Sequence, residues 1–266
     1  MNLMEGKKGV IFGVSNTHGI AYGIAKQLFE AGADIAFTYM GDVMEKRVRP
    51  IAESMNAKVI MNCDVTKEEE VKAVFAELEK VYGKIDFMVH AVAFANREDL
   101  SGDFYTVTKE GWDLAMGVSA YSLVSLARNA QPIMSENSSI LALTYLGSEK
   151  VVANYNIMGV AKAALEASSR YLANDLGKFG IRVNCLSSGA VKTLASSGID
   201  GFSRILKASA AKSPLNRNVT LEDVGKSALY LLSDLSSGVT GEVIHVDCGC
   251  HSIYSSQEEI ELISRP

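Results

Sequence analysis

The chain has 266 residues, 48% of them hydrophobic and 21% charged, which is typical of a soluble globular protein. Its formal net charge of −5 argues against a general binder of nucleic acids or of anionic membranes. No stretch approaches the roughly 18 apolar residues of a membrane span, and the apolar run at residues 10–12 is too short for a signal peptide. We expect a cytoplasmic protein that binds neither nucleic acid nor membrane.

Apolar segments rich in β-branched residues alternate with helix-period patterns along the whole chain. Such alternation predicts a parallel sheet covered on both faces, with right-handed crossovers. The predicted fold class is α/β: a single Rossmann-type doubly wound domain over residues 1–266, with about seven parallel strands and helices on both faces. Ligands of such sheets bind beyond the carboxyl ends of the strands. The predicted strands cover residues 9–12, 34–39, 58–63, 85–91, 139–144, 182–186 and 242–246.

The first predicted strand is followed by a glycine-rich turn, with glycines at positions 13, 19 and 23. Such a turn lets backbone approach a pyrophosphate while the start of the next helix supplies positive potential. The spacing is not G-x-G-x-x-G, so a plain glycine-rich turn is the alternative. The location after the first strand of an alternating α/β chain favours nucleotide binding.

The end of the second predicted strand bears on the choice of cofactor. An NADPH site usually has a cationic side chain at this position, which pairs with the 2′-phosphate. Positions 40–45 contain no lysine or arginine, and Asp42 and Glu45 are acidic. Lys46 and Arg47 come later, on a predicted helix. We therefore predict NADH as the cofactor, with NADPH less suitable.

Two further strand ends allow either a cofactor contact or a structural role. Asp64 closes the third strand, where its carboxylate could accept from an adenine amino group or simply shape a turn. Small residues between His90 and Ala95 follow the fourth strand. They permit close approach of a ribose or nicotinamide, or else tight core packing.

Helix signals lie between the strands. Thr66 followed by Glu69, and Thr220 followed by Asp223, have the spacing of capping pairs at helix starts. The helix after the third strand is predicted to bury a continuous apolar stripe. The stripe consists of Val71, Val74, Phe75, Leu78 and Val81.

A segment after the fifth strand carries two tyrosines and a lysine at spacings that a packed core does not require. Tyr155 and Lys162 are separated by almost two helical turns, so a helix would project both from one face. A phenol and an ammonium that share a cleft stabilise a developing oxyanion. The alternative is a surface pair that happens to be in phase.

The cysteines indicate free thiols in a reducing compartment. Cys63, Cys185, Cys248 and Cys250 show no framework of paired spacings. The segment from Cys248 to His251 resembles a fragment of a soft-metal site, but no second ligand cluster accompanies it. We predict no metal site and favour packing or loop lining for these residues.

Together these residues resemble the short-chain dehydrogenase/reductase superfamily and, over nearly the whole chain, the bacterial NADH-dependent enoyl-acyl-carrier-protein reductases. The most specific feature is the Tyr-x6-Lys spacing with Tyr145 upstream, because carbonyl-reducing members typically carry Tyr-x3-Lys and an upstream serine. The segments that carry the resemblance include Gly13-x5-Gly19-Ile-Ala-Tyr-Gly-Ile-Ala, Ala36-Phe-Thr-Tyr, Cys63-Asp-Val, Val89-His-Ala-Val-Ala-Phe-Ala, Tyr145-Leu-Gly, Asn154-Tyr-Asn-x-Met-Gly-x-Ala-Lys162 and Gly241-Glu-Val-x-His-Val-Asp247.

The resemblance implies that NADH reduces a trans-2-enoyl thioester carried on acyl carrier protein, the last step of the fatty acid elongation cycle. Tyr155 would hydrogen-bond the thioester oxygen as enolate charge develops there. Lys162 would hold the nicotinamide ribose and lend positive potential to the tyrosine. Tyr145 would be an auxiliary contact near the thioester.

The resemblance also implies a substrate site and an assembly. Ala95 would touch the substrate, and residues at about 193–211 would form a mobile flap over the acyl chain, although their apolar side chains would equally suit an amphipathic helix. Basic residues around the flap would meet the acidic carrier or form a solvated face, and the protein would be a homotetramer. The implied cofactor contacts are Gly13, Gly19, Ile20, Met40, Asp64, Val65, Val92, Lys162, Val191, Lys192, Thr193, Leu194 and Ala195.

Four departures from the family pattern concern cofactor affinity and the flap. Gly19 and Ala91 replace serines that are usual in the family, Met40 replaces a common glutamine, and Ala190 replaces a proline. Two rival functions are a carbonyl reductase of the same fold and a nucleotide-sensing protein without catalysis. The tyrosine–lysine spacing speaks against the first, and the intact Tyr/Lys pair speaks against the second.

Overall fold

The computed structural model describes residues 2–191 and 202–255. Within these ranges seven short apolar segments pair into one sheet, as expected for strands that are buried on both faces. They are β1 (Lys8–Phe12), β2 (Asp34–Tyr39), β3 (Ile60–Asn62), β4 (Ile85–His90), β5 (Met134–Thr144), β6 (Arg182–Ser188) and β7 (Val243–Val246).

The strands lie in the order β3-β2-β1-β4-β5-β6-β7, and every neighbouring pair is parallel. The chain therefore builds the sheet outward from β1 to β3, and then crosses back to place β4 on the other side of β1. Such a switch point opens a crevice at the carboxyl ends of the two central strands. The predicted seven-stranded parallel sheet is confirmed.

Helices cover both faces of the sheet, also as predicted. The helices in the described ranges are α1 (Ile20–Glu30), α2 (Gly41–Ser54), α3 (Glu68–Tyr82), α4 (Lys109–Met116), α5 (Ser122–Ala130), α6 (Asn156–Gly177), α7 (Phe202–Lys212) and α8 (Leu221–Leu232). Val10 and Phe12 point into the core that contains α3, α5 and α6 residues, whereas Ile11 between them points into the core that contains α1, α2 and α8 residues.

One of the two predicted caps is confirmed. At α8 the Thr220 hydroxyl accepts from the Asp223 amide, while the Asp223 carboxylate accepts from the Thr220 amide. The prediction for Thr66 is wrong: α3 begins after Lys67, and the Thr66 hydroxyl donates to Asp64 Oδ1 at 2.7 Å. The helix begins one residue too late for Thr66 to be its N-cap, and Thr66 instead belongs to a turn in which its amide and its hydroxyl both donate to Asp64.

The apolar stripe of α3 is confirmed except at its last position. Val81 is 38% exposed, and the neighbouring Tyr82 is buried in its place. Tyr82 donates its hydroxyl to Asp34 Oδ1 at 2.8 Å, so a polar partner from β2 completes its burial.

Two strands differ from their predicted lengths by three residues or more, and the others by two at most. β3 is shorter, because it is the edge strand and pairs only with β2. β5 begins five residues early, at Met134, which pairs with Ile85 across an irregularity in β4. The polar residues at positions 135–138 concealed this extension. No helix within residues 2–191 or 202–255 is both long and apolar enough to cross a membrane.

Candidate active site

A cleft of about 480 Å³ opens beyond the carboxyl ends of β1, β4, β5 and β6. Its walls come from the loops after these strands, from the start of α6 and from Ile205 of α7. The cleft thus lies at the switch point of the sheet, where ligands of doubly wound folds bind. The predicted site residues that line it are Gly13, Gly19, Ile20, Ala95, Tyr145, Tyr155, Lys162 and Val191.

Gly13 allows the loop after β1 to lie directly against the loop after β4. Its φ of +103° belongs to the region that favours glycine. A Cβ at this position would lie 2.2 Å from the carbonyl oxygen of Ala91. Gly19 has room to spare, since the nearest atom to a Cβ there is 3.5 Å away.

The first turn of α1 meets the cleft. The amides of Tyr22 and Gly23 donate to the Gly19 carbonyl and are the first to make intrahelical bonds. The preceding amides, of Ile20 and Ala21, lie at the open end of the helix, and both residues line the cleft. This end carries the partial positive charge that attracts an anion such as a phosphate.

Gly23 serves helix packing, which corrects its grouping with the turn glycines. A Cβ on Gly23 would lie 2.7 Å from the carbonyl oxygen of Leu221 in α8. In return, a Cβ on Gly225 would lie 2.5 Å from the Gly23 carbonyl oxygen. Both glycines are therefore required by the close approach of α1 and α8.

Lys162 is a buried cation in the wall of the cleft, with 5% of its surface exposed. Its Nζ donates to the carbonyl oxygen of Leu143 at 2.7 Å. Burial lowers the pKa of Lys162 to about 8, and electrostatic interactions with Cys185 and Glu166 oppose this fall. The ammonium is therefore largely protonated at neutral pH and keeps two N–H groups for a ligand.

Tyr145 and Tyr155 meet edge to face, with ring centroids 4.9 Å apart and planes at 71°, a favourable aromatic geometry. Burial raises the pKa of both phenols. The neighbouring Tyr145 and Glu166 raise that of Tyr155 further. Both hydroxyls consequently stay protonated at neutral pH and can donate hydrogen bonds.

Tyr155 and Lys162 were predicted to lie on one helix, but the helix begins one residue after Tyr155. α6 starts at Asn156, so Tyr155 is its N-cap residue, whereas Lys162 lies inside the helix. Both side chains still reach the same cleft.

Gly147 and Gly159, whose purpose is not evident from the sequence, make room for Tyr155. A Cβ on Gly147 would lie 2.4 Å from Cδ1 of the Tyr155 ring. A Cβ on Gly159 would lie 2.7 Å from the Gly147 carbonyl oxygen. The turn Leu146–Ser148 can therefore pack closely on α6. Both glycines stand in the motifs quoted above, but only the contacts explain them.

Ser119 is a second feature that the sequence did not reveal. It lies in a π-helical turn, Gly117–Tyr121, between α4 and α5. Its hydroxyl accepts from the Phe94 amide at 2.9 Å and donates to the Phe94 carbonyl at 3.1 Å. This pair of bonds holds the loop that carries Ala95. A π turn is itself frequent at functional sites.

Four predicted cofactor contacts lie beside the cleft instead of lining it. Met40 is exposed at the N-cap of α2, while Val65 and Val92 pack on the core. Asp64 Oδ1 accepts from the amide and the hydroxyl of Thr66, at 3.0 and 2.7 Å, which is the turn role that the sequence left open. Contacts from these four to a cofactor stay predictions. Lys192, Thr193, Leu194 and Ala195 lie outside the described residues.

The cysteine segment near the C-terminus forms a turn around Asp247. The carboxylate accepts from the amides of Gly249 and His251, at 2.9 and 2.7 Å. All four cysteines are free thiols. Among residues 2–191 and 202–255, no group of three or more histidine, cysteine or acidic side chains is placed to hold a metal ion.

Known proteins resemble this chain in sequence and structure. The enoyl-acyl-carrier-protein reductase (NADH) 1 of Rhizobium meliloti is 55% identical over 251 residues, which are 94% of this chain and 92% of the relative. The reductase of Anaplasma phagocytophilum, solved in complex with NAD, is 51% identical with a TM-score of 0.93, and the match covers 96% of this chain and 97% of that one.

A third relative binds the other nicotinamide cofactor. The Bacillus cereus reductase, solved with NADP+ and indole naphthyridinone, is 48% identical with a TM-score of 0.94 and matches over 96% of this chain and 100% of its own. A sequence profile described as enoyl-(acyl carrier protein) reductase matches residues 13–251. The chain therefore belongs to the enoyl-acyl-carrier-protein reductase family.

Proposed function

We propose that this protein uses NADH to reduce the carbon–carbon double bond of a trans-2-enoyl thioester carried on acyl carrier protein, in fatty acid biosynthesis. The observation that carries the proposal is the meeting of the Tyr155 phenol and the buried Lys162 ammonium in one cleft at the switch point of the sheet. The names of the relatives support the same reaction.

The residues of the cleft fit a dinucleotide. Gly13 and Gly19 keep side chains away from the start of α1, where a pyrophosphate would meet the helix amides. Lys162 retains two donors for ribose hydroxyls beyond its bond to Leu143. Val191, together with the implied contacts at 192–195, would complete the site. NADH, when bound, supplies the hydride that the substrate β-carbon receives.

The residues after β2 favour NADH over NADPH. Glu45 accepts from Arg49 Nε at 3.0 Å on α2, so this guanidinium, which acts on Tyr39 at the end of β2, is already paired with a carboxylate. A 2′-phosphate would meet Asp42 and Glu45 as like charges. Met40, exposed before α2, would present an apolar surface to the adenosine.

Tyr155 would donate to the thioester oxygen as negative charge gathers there. Because its pKa is raised, the phenol donates a hydrogen bond without ionising. Lys162 contributes positive potential in a site where burial strengthens electrostatic interactions. Tyr145 would orient the Tyr155 ring through their edge-to-face contact and would approach the thioester. Ala95 would touch the substrate.

NADH oxidation by three sets of substrates tests the proposal. We expect turnover with crotonyl and longer enoyl thioesters, and slower turnover when NADPH replaces NADH. Turnover with β-ketoacyl thioesters alone would establish the rival carbonyl reductase. NADH binding without turnover of either thioester would indicate a nucleotide sensor. Comparing the turnover of the same acyl group on coenzyme A and on acyl carrier protein distinguishes the chemical step from recognition of the carrier.

The flap and the carrier surface belong to the same proposal. We propose that residues at about 193–211 cover the acyl chain, which the position of Ile205 in the cleft wall supports. Arg204 and Lys207 are exposed on α7 and would meet an acidic carrier. Arg217 is engaged by Asp223 at 2.6 Å and is less available. Charge reversal at Arg204 and Lys207 should raise KM for the carrier-bound substrate but leave KM for the coenzyme A thioester unchanged.

Organisation in the cell completes the proposal. We propose that residues 1–266 form a single domain, that the protein assembles as a homotetramer, and that it resides in the cytoplasm. Sedimentation equilibrium of the purified protein tests the assembly, and fractionation of cells tests the location.

A further inference from the structure

Glu166 is a buried acidic residue that the mechanism above does not use. It has 6% of its surface exposed and lies on α6, four residues after Lys162. Residues at this spacing are neighbours on one face of a helix. Its Oε1 accepts a hydrogen bond from the Thr144 hydroxyl at 2.5 Å. Acidic residues are rarely this buried unless a charge or hydrogen bonds compensate them.

We propose that Glu166 is a positioning residue for the reduction, which holds Lys162 in its protonated form and fixes the strand end that precedes Tyr145. The inference rests on the proposed function, because it concerns Lys162 as the ligand of the nicotinamide ribose. Glu166 acts through these two neighbours and needs no contact with the substrate.

The hydrogen bonds around α6 support a positioning role. Lys162 binds the carbonyl of Leu143, and Glu166 binds the hydroxyl of the next residue, Thr144. Two consecutive residues of β5 are thus hydrogen-bonded to two side chains that lie one turn apart on α6. Leu143, Thr144 and Tyr145 all line the cleft. The bonds therefore set the register of the helix against the strand end from which Tyr145 projects.

The other titratable groups near Lys162 carry no charge at neutral pH. Burial raises the pKa of the Cys185 thiol on β6 to about 11, although a bond from Ser169 opposes the rise. Burial lowers the pKa of the His90 imidazole on β4 to about 3, and the Lys162 charge lowers it further. Tyr155 is a neutral phenol because burial raises its pKa.

Glu166 and Arg170 are the charged side chains of α6 within two to three turns of Lys162. Arg170, one turn beyond Glu166, acts on Cys185 and so adds positive potential to the cluster. Glu166, one turn from Lys162, is the acidic side chain among these neighbours. Without it, burial would oppose the protonated lysine with no counter-charge.

Two variants separate the charge of Glu166 from its hydrogen bond. Glu166→Gln removes the charge and keeps an oxygen that accepts from Thr144. Thr144→Val removes the bond and keeps the charge. The first readout is the affinity for NADH, followed by its fluorescence from about pH 6 to about pH 9. The second is kcat and KM for an enoyl thioester.

We expect the wild-type affinity for NADH to weaken as pH rises through about 8, where Lys162 loses its proton. In Glu166→Gln the midpoint should fall by about one pH unit, the smaller end of the effect of removing a nearby opposite charge. Glu166→Asp keeps the charge and should return the midpoint toward the wild type. Thr144→Val should keep the midpoint and lower kcat.

An unchanged midpoint in Glu166→Gln overturns the charge role, and an unchanged kcat in Thr144→Val overturns the role of the bond. If Glu166→Gln folds poorly, Tm of the double variant with Lys162→Met decides. A double variant whose change in Tm departs from the sum of the changes in Glu166→Gln and Lys162→Met supports the counter-charge, and additive changes refute it. NADH binding is read without substrate, so a wild type inactive on enoyl thioesters would refute the proposed function while leaving this test intact.

Discussion

The two ends of the cleft are built in opposite ways. Around Gly13 and Gly19, beyond β1 and β4, the walls are backbone and small side chains, and the property that matters is space. Around Tyr155 and Lys162, beyond β5, the walls are buried polar side chains, and the property that matters is charge and hydrogen bonding. The nucleotide end should therefore be damaged by adding atoms, and the catalytic end by removing them.

The largest effect is expected where one oxygen is removed from the catalytic end. Tyr155→Phe should lower kcat for enoyl thioesters by roughly 10²–10³-fold, the usual cost of losing one oxyanion donor. Affinity for NADH should not change, because the ring keeps its packing against Tyr145 and Gly147. Steady-state kinetics and NADH titration check both points. A variant with full turnover would refute the oxyanion role of the phenol.

The next effect comes from adding one carbon to the nucleotide end. Gly13→Ala should reduce the free energy of unfolding by about 3 kcal/mol, since its Cβ strikes the Ala91 carbonyl and φ is positive. Urea unfolding measures the loss. Gly19→Ala in the same loop is the matched control and should be nearly neutral, because it has room. Equal losses of stability in both variants would show that the space around each Cβ does not decide the outcome.

A smaller effect, of opposite sign, is expected when the buried charge is removed. Burial holds the pKa of Lys162 in the folded protein at about 8, below the ordinary lysine value of 10.5. Between these pH values the unfolded chain binds more protons, so stability rises with pH across that window. Removing Lys162 alone would leave the buried Glu166 without its cation, so the burial cost is read in the Glu166→Gln background. There Lys162→Met should raise the free energy of unfolding by about 1–3 kcal/mol at neutral pH.

The pH dependence supplies the check on that prediction. The advantage of Lys162→Met in this background should shrink as pH rises and disappear toward the ordinary lysine pKa of about 10.4. Lys72→Met, at an exposed lysine, should show no such trend. A double variant that is less stable than Glu166→Gln at neutral pH would contradict the assignment of a burial cost to this lysine.

The smallest effect is expected from filling the open position of the nucleotide loop. Gly19 precedes α1 with φ −87° and ψ 152°, which other residues adopt readily. Gly19→Ser should stabilise the protein by about 0.5 kcal/mol through a helix cap and a less flexible unfolded chain. Thermal unfolding detects the gain. A loss of stability would mean that this end of the cleft has less space than its backbone indicates.

Features that depend on neighbours in sequence were the ones that could be predicted. The alternation of apolar segments was sufficient for the parallel sheet, and the Thr220–Asp223 cap involves residues of one turn. The same local reasoning failed at Thr66, which lies in a turn around Asp64 while the helix begins after Lys67. It failed also at Tyr82, whose burial depends on Asp34 in another strand.

The candidate site shows the same division. The spacing of Tyr155 and Lys162 was visible in the sequence, since both lie near one helix start. Gly147 and Ser119 could not be predicted, because their purposes arise from contacts with Tyr155 and Phe94 that only the folded chain creates. Glu166 had a signal, its four-residue spacing from Lys162, but its partner Thr144 lies on a different element.

The order of the strands also governs when the cleft comes into existence during folding. β1 and β4 are neighbours in the sheet but are separated in sequence by the chain that forms β2 and β3 on the other side of β1. Pairings between distant segments are slow, because loop closure costs entropy before contacts reward it. A cleft with walls from β1, β4, β5 and β6 is complete only when most of the sheet is. A dinucleotide that binds there would bind only the folded protein and would therefore stabilise it by mass action.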